Sequence, residues 1–387
     1  MGSPLRVAIL SDYHEEHWPS MDLVADMLSA HLRPFREIAA VQIRPRFIRR
    51  FSRLSGRCER TLNNLDRLIN RLIEYPRIVR AARKRFDLFH VVDHSYSHLV
   101  KAARPAPAVV TCHDLDTFRC LTEPAKEIRS WPFRKMTRIA MDGFQSACAV
   151  ACDSAATRDE VLRHRLIPED RLSINQNGIA PIFSLRPDPE ADREAVQHLG
   201  AARTEVPEIV HVGSTIQRKR INVLLKIFAE LRGELPSLRL VRVGGAFTSE
   251  QRELARTLKL PSDSIAVLPF LRPAVLAAIY RRAALTILPS SAEGFGFPVL
   301  ESMACGTSVV ASDLPVLREI GGTTTTYCAI DDISGWAATI GSLLREQRES
   351  PQRWSERSAV GAQWAKQYTW NAYAERATKL YRQLLGN

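Results

Sequence analysis

Along this chain short apolar runs alternate with stretches whose apolar residues recur at helical spacing, a pattern that predicts an α/β protein. Leu5 to Leu10, Ile38 to Ile43, Leu88 to Val92, Ala108 to Thr111, Ala147 to Ala151 and Leu172 to Ile174 read as buried parallel strands. A polar loop from Ser11 to Ser20 leads into a helix from about Met21 to Leu32. A second series begins at Glu208, with strands at Ile209 to Gly213, Leu238 to Val243, Ala284 to Pro289 and Thr307 to Ala311. Ile221, Leu224, Leu225, Phe228 and Leu231 mark an amphipathic helix, and Trp354 to Leu385 reads as helices. Strands separated by helices imply doubly wound parallel sheets. Asn177 to Pro207 carries Pro, Asp and Glu with little periodicity and reads as a crossing between domains. At 387 residues two domains are expected, 1–180 and 181–387.

The densest chemical signal is EGFGFPVLE, Glu293 to Glu301, where two carboxylates flank a glycine-bearing loop and the start of a helix. Gly294 and Gly296 let the backbone bend and bring N–H groups near a ligand, and Pro298 fits the first helical position without losing a donor. With a strand on each side this is a βαβ unit whose loop lies at the carboxyl end of a strand, the ligand side of an open α/β sheet. Taken singly, Glu293 is also compatible with a solvated loop acid and Glu301 with a first-turn glutamate favoured by the helix dipole. A capping box at Glu301 is excluded, because Pro298 stands where Ser or Thr is needed. A second loop, after IVHVG, carries Arg218 and Lys219 just before a helix, where two cations and the helix start suit a diphosphate. In so arginine-rich a chain a solvated basic pair reads the same way.

Residues 288–322, LPSSAEGFGFPVLESMACGTSVVASDLPVLREIGG, resemble the signature of retaining glycosyltransferases of family 4, and HVGSTIQRKRINVLL resembles their phosphate loop. The resemblance implies a GT-B architecture: two Rossmann-like doubly wound domains facing a cleft, an acceptor domain over 1–180, a nucleotide-sugar domain over 181–387, and a terminal helix from about 368 crossing back to the first. It assigns Glu301 to the ribose hydroxyls, Glu293 with the amides at Gly294, Phe295, Gly296 and Phe297 to the donor sugar and phosphates, and Arg218 and Lys219 to the leaving diphosphate. Gly213 and Leu271 are expected in the same donor site, the latter in the stretch Pro269 to Arg272, where backbone contacts would meet the base. His113, in VVTCHDL, is carried over as a donor-sugar contact, although a lone His is more often structural. The class implies no metal and no cofactor; the nucleotide sugar, with UDP or GDP, is a substrate. One departure stands out: after the first strand many relatives have a glycine-rich turn, and this chain has SDYHEEHWPS. Asp12, His14, Glu15, Glu16 and His17 there suit a polar acceptor or an ordinary surface loop.

Charge adds a partner. Residues 44–85 hold 13 arginines and one lysine against three acids, a net +11 of the chain's formal +12. Interleaved with Phe47, Ile48, Phe51, Leu54, Leu65, Leu68, Ile69 and Leu72, they suit either the anionic face of a membrane, where a lipid-linked acceptor would be met, or a helix packed on the sheet. Few aromatics and no RNA-binding motif argue against nucleic acid as the partner. The rival activities are a GT-B sugar-nucleotide epimerase and a non-enzymatic nucleic-acid-binding protein. His94 and His98 have the i, i+4 spacing of some zinc sites, but HExxH is absent and a strand end lining the ligand side reads better. Seven scattered cysteines without a CxxC pair suggest reduced thiols, and no apolar run approaches a membrane span, so a cytoplasmic protein is expected, peripheral on the inner face of the membrane.

Overall fold

Twelve short strands, buried along the middle of each sheet and less so at its edges, build two parallel sheets in the computed structural model, which describes residues 3–52, 59–202 and 205–386. The first sheet holds β1 (Leu5–Leu10), β2 (Ile38–Ile43), β3 (Leu88–Val91), β4 (Ala108–Cys112), β5 (Ala149–Cys152) and β6 (Leu172–Ile174) in the order β2-β1-β3-β4-β5-β6. The second holds β7 (Glu208–Val212), β8 (Arg239–Val243), β9 (Ile265–Leu268), β10 (Leu285–Leu288), β11 (Ser308–Ser312) and β12 (Thr326–Cys328) in the order β12-β11-β10-β7-β8-β9. The sequence-based reading leaves β9 and β12 unnamed; both are short, and most of their residues are only partly buried.

The chain divides into two compact units, one of residues 1–178 with 370–387 and one of residues 179–369. In the first, Val7, Ala8, Ile9 and Leu10 are all essentially inaccessible, as strands covered on both faces must be. The terminal helix Trp370–Leu385 belongs to this unit. It rests on the helix Pro19–Leu32. Its Tyr381 hydroxyl shares a 2.5 Å hydrogen bond with His90 Nδ1, and Arg376 donates to Asn175 Oδ1 at 3.0 Å. The second unit packs Leu224, Leu225, Ile227, Phe228 and Leu231 of the helix Ile221–Glu234 against Ile209, Leu240, Leu285 and Ile287.

One expectation is corrected inside the second unit. The stretch Asn177 to Pro207 is not merely a crossing: Pro189–Leu199 is a helix whose N-cap, Asp188, accepts from the amides of Glu190 at 3.1 Å and Ala191 at 3.2 Å. The signals are an Asp–Pro start and the buried series Ala191, Ala195, Leu199, which a composition rich in Pro and acids obscures.

Candidate active site

Strand order reverses direction at one place in each sheet, and loops at the carboxyl ends of the two strands flanking that place splay apart to leave room for a ligand. In the second unit those strands are β7 and β10, paired with Leu285 opposite Ile209. Their loops are the two that carry Arg218, Lys219 and Glu293.

The loops are stitched together. Lys219 Nζ donates to Glu293 Oε1 at 2.6 Å, and Arg218 Nη1 donates to Glu293 Oε2 at 3.2 Å and to the Ala292 carbonyl at 3.1 Å. The Ser291 amide donates to the Arg218 carbonyl at 2.8 Å. Glu293 is 5% exposed and Lys219 10%, so the pair is desolvated, while Arg218 at 27% keeps an open side. Burial alone would push the Glu293 carboxyl up; Lys219 and Arg218 outweigh it and hold the group below the usual carboxylate range. The arrangement is a buried anion clamped by two cations, one facing outward.

Beneath it lies a residue that sequence reading passed over. Arg242, fully buried on β8, donates from Nη2 to the Gly213 carbonyl at 2.7 Å and from Nη1 to the Gly245 carbonyl. Burial pulls its pKa down to about 10, so it remains charged at neutral pH. His211, buried on β7, is held neutral with its pKa lowered to about 3, first by burial and then by Arg242 and Lys219. An arginine inside the apolar run LRLVRV was the available signal, since a buried charge is retained only where it finds partners. Gly213 and Gly244 touch backbone to backbone: a Cβ on Gly244, whose φ is +125°, would stand 2.0 Å from the Gly213 oxygen. Gly244→Ala is therefore expected to destabilise the protein by roughly 3 kcal/mol or more. Thermal denaturation measures this, and an unchanged midpoint would show that the loop after β7 has slack.

Glu301 sits on the helix Phe297–Ala304, which Gly296 opens with a left-handed φ of +104°. The helix begins one residue before Pro298, which thus takes its second position. The buried Tyr280 hydroxyl donates to Glu301 Oε2 at 3.2 Å. Burial nevertheless raises the carboxyl to about 7. Phe295 turns its ring inward, edge-on to Phe297 at 5.1 Å and to Tyr368 at 6.1 Å, so only its backbone is left for a ligand. Leu271 is partly exposed in the loop after β9.

In the first unit His113 departs from the expectation of a ring turned toward a ligand. Its Nδ1 bonds Asp153 Oδ2 at 2.5 Å and its Nε2 bonds the Val92 carbonyl at 2.7 Å. Despite burial, Asp153 raises it to about 9, so both nitrogens carry protons already committed to neighbours. The ring fastens β4 to the ends of β3 and β5. His94 and His98 lie on a 3-10 helix, where i and i+4 do not share a face, and His98 Nε2 is bonded to the Arg71 carbonyl at 2.7 Å.

The loop after β1 is tied to the arginine segment. Glu16 pairs with Arg67 and accepts from Tyr96 at 3.1 Å, and Arg44 meets His14 Nε2 at 2.7 Å and Asp22 at 2.9 Å. Asp12 is 2% exposed and its carboxyl is pushed well up, by burial first and then by the charge of Asp93. Beside this loop opens a cavity of about 510 Å³ lined by Glu15, His17, Phe47, Arg49, Asn63, Asn64 and Arg67. Residues 53–58 of the basic segment, with Leu54 and Cys58, lie outside the described residues.

Two doubly wound units, the second with paired cations and an acid at its switch point, define a GT-B protein. Comparison with known proteins agrees. Residues 28–181 match the family model "Glycosyltransferase Family 4" and residues 192–360 match "Glycosyl transferases group 1". The chain belongs to the family 4 glycosyltransferases of GT-B architecture. It is 31% identical over 191 residues to D-inositol 3-phosphate glycosyltransferase of Segniliparus rotundus, covering 46% of this chain and 40% of that protein. To the O-antigen chain mannosyltransferase B of Escherichia coli it is 25% identical, covering 81% and 80%. The chain spans about half the length of the D-inositol 3-phosphate glycosyltransferases it matches. Sucrose-phosphate synthase of Thermosynechococcus elongatus superimposes with a TM-score of 0.74 at 18% identity, over 99% of both chains. Anabaena HepE, solved with UDP and glucose, gives 0.72 at 17% over 98% of this chain and 100% of that one; both likenesses concern the fold.

Proposed function

We propose that this protein transfers a hexose-type sugar from a UDP- or GDP-sugar to a carbohydrate or lipid-linked acceptor, with retention at the anomeric carbon and without metal or cofactor. The observation that carries the reading is the Arg218–Glu293–Lys219 clamp at the β7/β10 switch point, eight residues before Glu301. A diphosphate arriving there meets two cations fixed before it binds, the condition under which electrostatic stabilisation of a leaving group is most effective. Glu301, at the next helix, accepts the ribose hydroxyls. The bond from the anomeric carbon to the diphosphate oxygen breaks as the acceptor oxygen bonds the same carbon from the same face. The acceptor proton passes to a donor phosphate oxygen, and Arg218, Lys219 and the loop amides take up the charge left on the diphosphate. His113 holds the strand ends of the first unit in register. HepE, solved with UDP and glucose, supports a nucleotide-sugar donor, and the O-antigen chain mannosyltransferase supports a glycan acceptor.

The acceptor reading includes peripheral docking on the inner face of the cytoplasmic membrane through residues 44–85. Arg44, Arg50 and Arg67 are paired with acids and Arg71 with the Ser95 carbonyl, which leaves Arg46, Arg49, Arg80, Arg83, Lys84 and Arg85 as exposed cations of the segment, with Ile48, Leu65 and Leu68 as exposed apolar residues. Among the described residues no helix is long and apolar enough to cross a membrane. Thermal denaturation against a panel of nucleotide sugars tests the donor reading: a true donor at 100 times its Kd adds about 2.7 kcal/mol. If no nucleotide or nucleotide sugar shifts the midpoint, the reading is wrong; sugar released without acceptor as its epimer would replace it with the epimerase.

A further inference from the structure

Between β4 and β5 the chain carries an apolar surface that the first unit does not use. Ile128 is 87% exposed, Trp131 72%, Ile139 38% and Phe133 36%. This is not a helix lacking a buried face. Thr137, Ala140, Gly143 and Phe144 of the helix Trp131–Gln145 are all buried, and Gly143 lies so close to the Ser97 carbonyl that a Cβ would meet it at 2.1 Å. Trp131, Lys135 and Ile139, spaced by four, form the opposite, outward stripe.

The charge around that stripe is one-sided. Lys126, Arg129, Arg134, Lys135 and Arg138 are all exposed, with Glu127 the one acid between 124 and 139. Arg129 pairs with Glu127 at 2.6 Å and Lys126 with Glu123 at 3.1 Å. Among the described residues, Arg134, Lys135 and Arg138 have no carboxylate partner; Lys135 Nζ stands 5.1 Å from the Trp131 ring centre instead. A tryptophan and an isoleucine in water, ringed by unpaired cations, match the chemistry of a bilayer interface: indole and aliphatic groups at headgroup depth, ammonium and guanidinium on lipid phosphate. A protein partner of ordinary composition would leave three unpaired cations around the apolar centre.

We infer that Ile128, Trp131 and Ile139, with Arg134, Lys135 and Arg138, form a docking surface for an anionic phospholipid membrane. The proposal deepens the lipid-linked acceptor reading and rests on it for its purpose. A helix that returns between parallel strands runs against them, so the Trp131 end lies at the carboxyl edge of the first sheet. That edge also carries His113, the loop after β1, and Arg46, Ile48 and Arg49 after β2. Docking by Trp131 therefore turns the edge where an acceptor enters toward the headgroups, with a basic patch on either side of it.

The test uses the full chain with vesicles of phosphatidylcholine, with and without phosphatidylglycerol, at moderate salt. Ile128→Ser with Trp131→Ser is expected to weaken partition into anionic vesicles on the order of a hundredfold with an unchanged melting midpoint. Neutralising Arg134, Lys135 and Arg138 to Gln is expected to weaken it roughly fivefold per cation and to narrow the difference between the two vesicle types accordingly. In the unaltered chain brominated lipid should quench tryptophan emission, and the double serine variant should lose that quenching. Unchanged partition in both variants overturns the proposal, as does loss of binding only when Arg46 and Arg49 are replaced. So does self-association in lipid-free solution that the serine variant abolishes without altering vesicle binding. Nucleotide-sugar stabilisation is measured on the same variants. It should persist in all of them, which separates failure of docking from failure of the transfer reading.

Discussion

Glu293→Ala and Lys219→Ala are each expected to lower kcat by roughly 100- to 1,000-fold, the cost of removing one preorganised group from a site where charge develops. The two should differ in what else they change. Lys219→Ala removes a cation from the diphosphate, so affinity for the free nucleoside diphosphate falls with turnover. Glu293→Ala leaves Arg218 and Lys219 without the anion that fixes them at 3.2 and 2.6 Å. The freed cations are then expected to bind the nucleoside diphosphate at least as tightly as before, and product release slows while the sugar loses its contact. The same variant also strands a nearly buried ammonium, so a lower melting midpoint is expected with it. Steady-state assay of diphosphate release, with product inhibition and thermal denaturation on the same preparations, separates these effects. Undiminished turnover in Glu293→Ala would remove the clamp from the mechanism.

At Glu301 function and stability are expected to oppose each other. The folded protein holds this carboxyl protonated up to about pH 7, whereas the isolated side chain ionises at 4.5. Between those values the native state binds a proton that the unfolded chain has released, so stability falls as pH rises through that window and the loss is complete above it. Glu301→Gln cannot ionise. At pH 8 it is expected to be more stable than the unaltered protein by about 3 kcal/mol, and at pH 4 to match it. Donor binding should move the other way. A charged acceptor on the ribose hydroxyls contributes roughly 1.5–3 kcal/mol, so the glutamine variant should bind the donor about 10- to 100-fold more weakly. For the unaltered protein, donor affinity should fall as pH drops below about 7, with protonation of the same group. Calorimetric titration of donor at several pH values, beside denaturation curves, checks both halves. A glutamine variant that binds donor as well as the parent would take Glu301 out of the site.

Much of this was written locally along the chain. Strand and helix positions followed from short apolar runs and helical spacing, because burial on both sheet faces demands continuous apolar residues and a one-sided helix demands periodic ones. The acid-glycine loop at Glu293 to Glu301 was legible for the same reason: its residues are close in sequence, and a glycine with positive φ or a proline at a helix start constrains the backbone wherever it stands. The chain's formal +12 and its concentration in one segment were equally fixed by the letters.

What only the tertiary structure decided were the partners of charged groups. Lys219 and Glu293 are 74 residues apart and meet because β7 and β10 are neighbours in the sheet. Arg242 reads as an anomaly in a strand until Gly213 and Gly245 are seen to receive it. His113 reads as a ligand contact until Asp153, 40 residues on, is seen to accept the hydrogen bond from its Nδ1. The arginine segment reads as one uniform basic face, yet several of its cations pair with Glu16, Asp22 and Glu74, and its exposed apolar residues are less bare than Ile128 and Trp131 elsewhere in the same unit. Periodicity is set by each residue's own contact with water. Pairing depends on strand order, which is settled by how the whole unit packs.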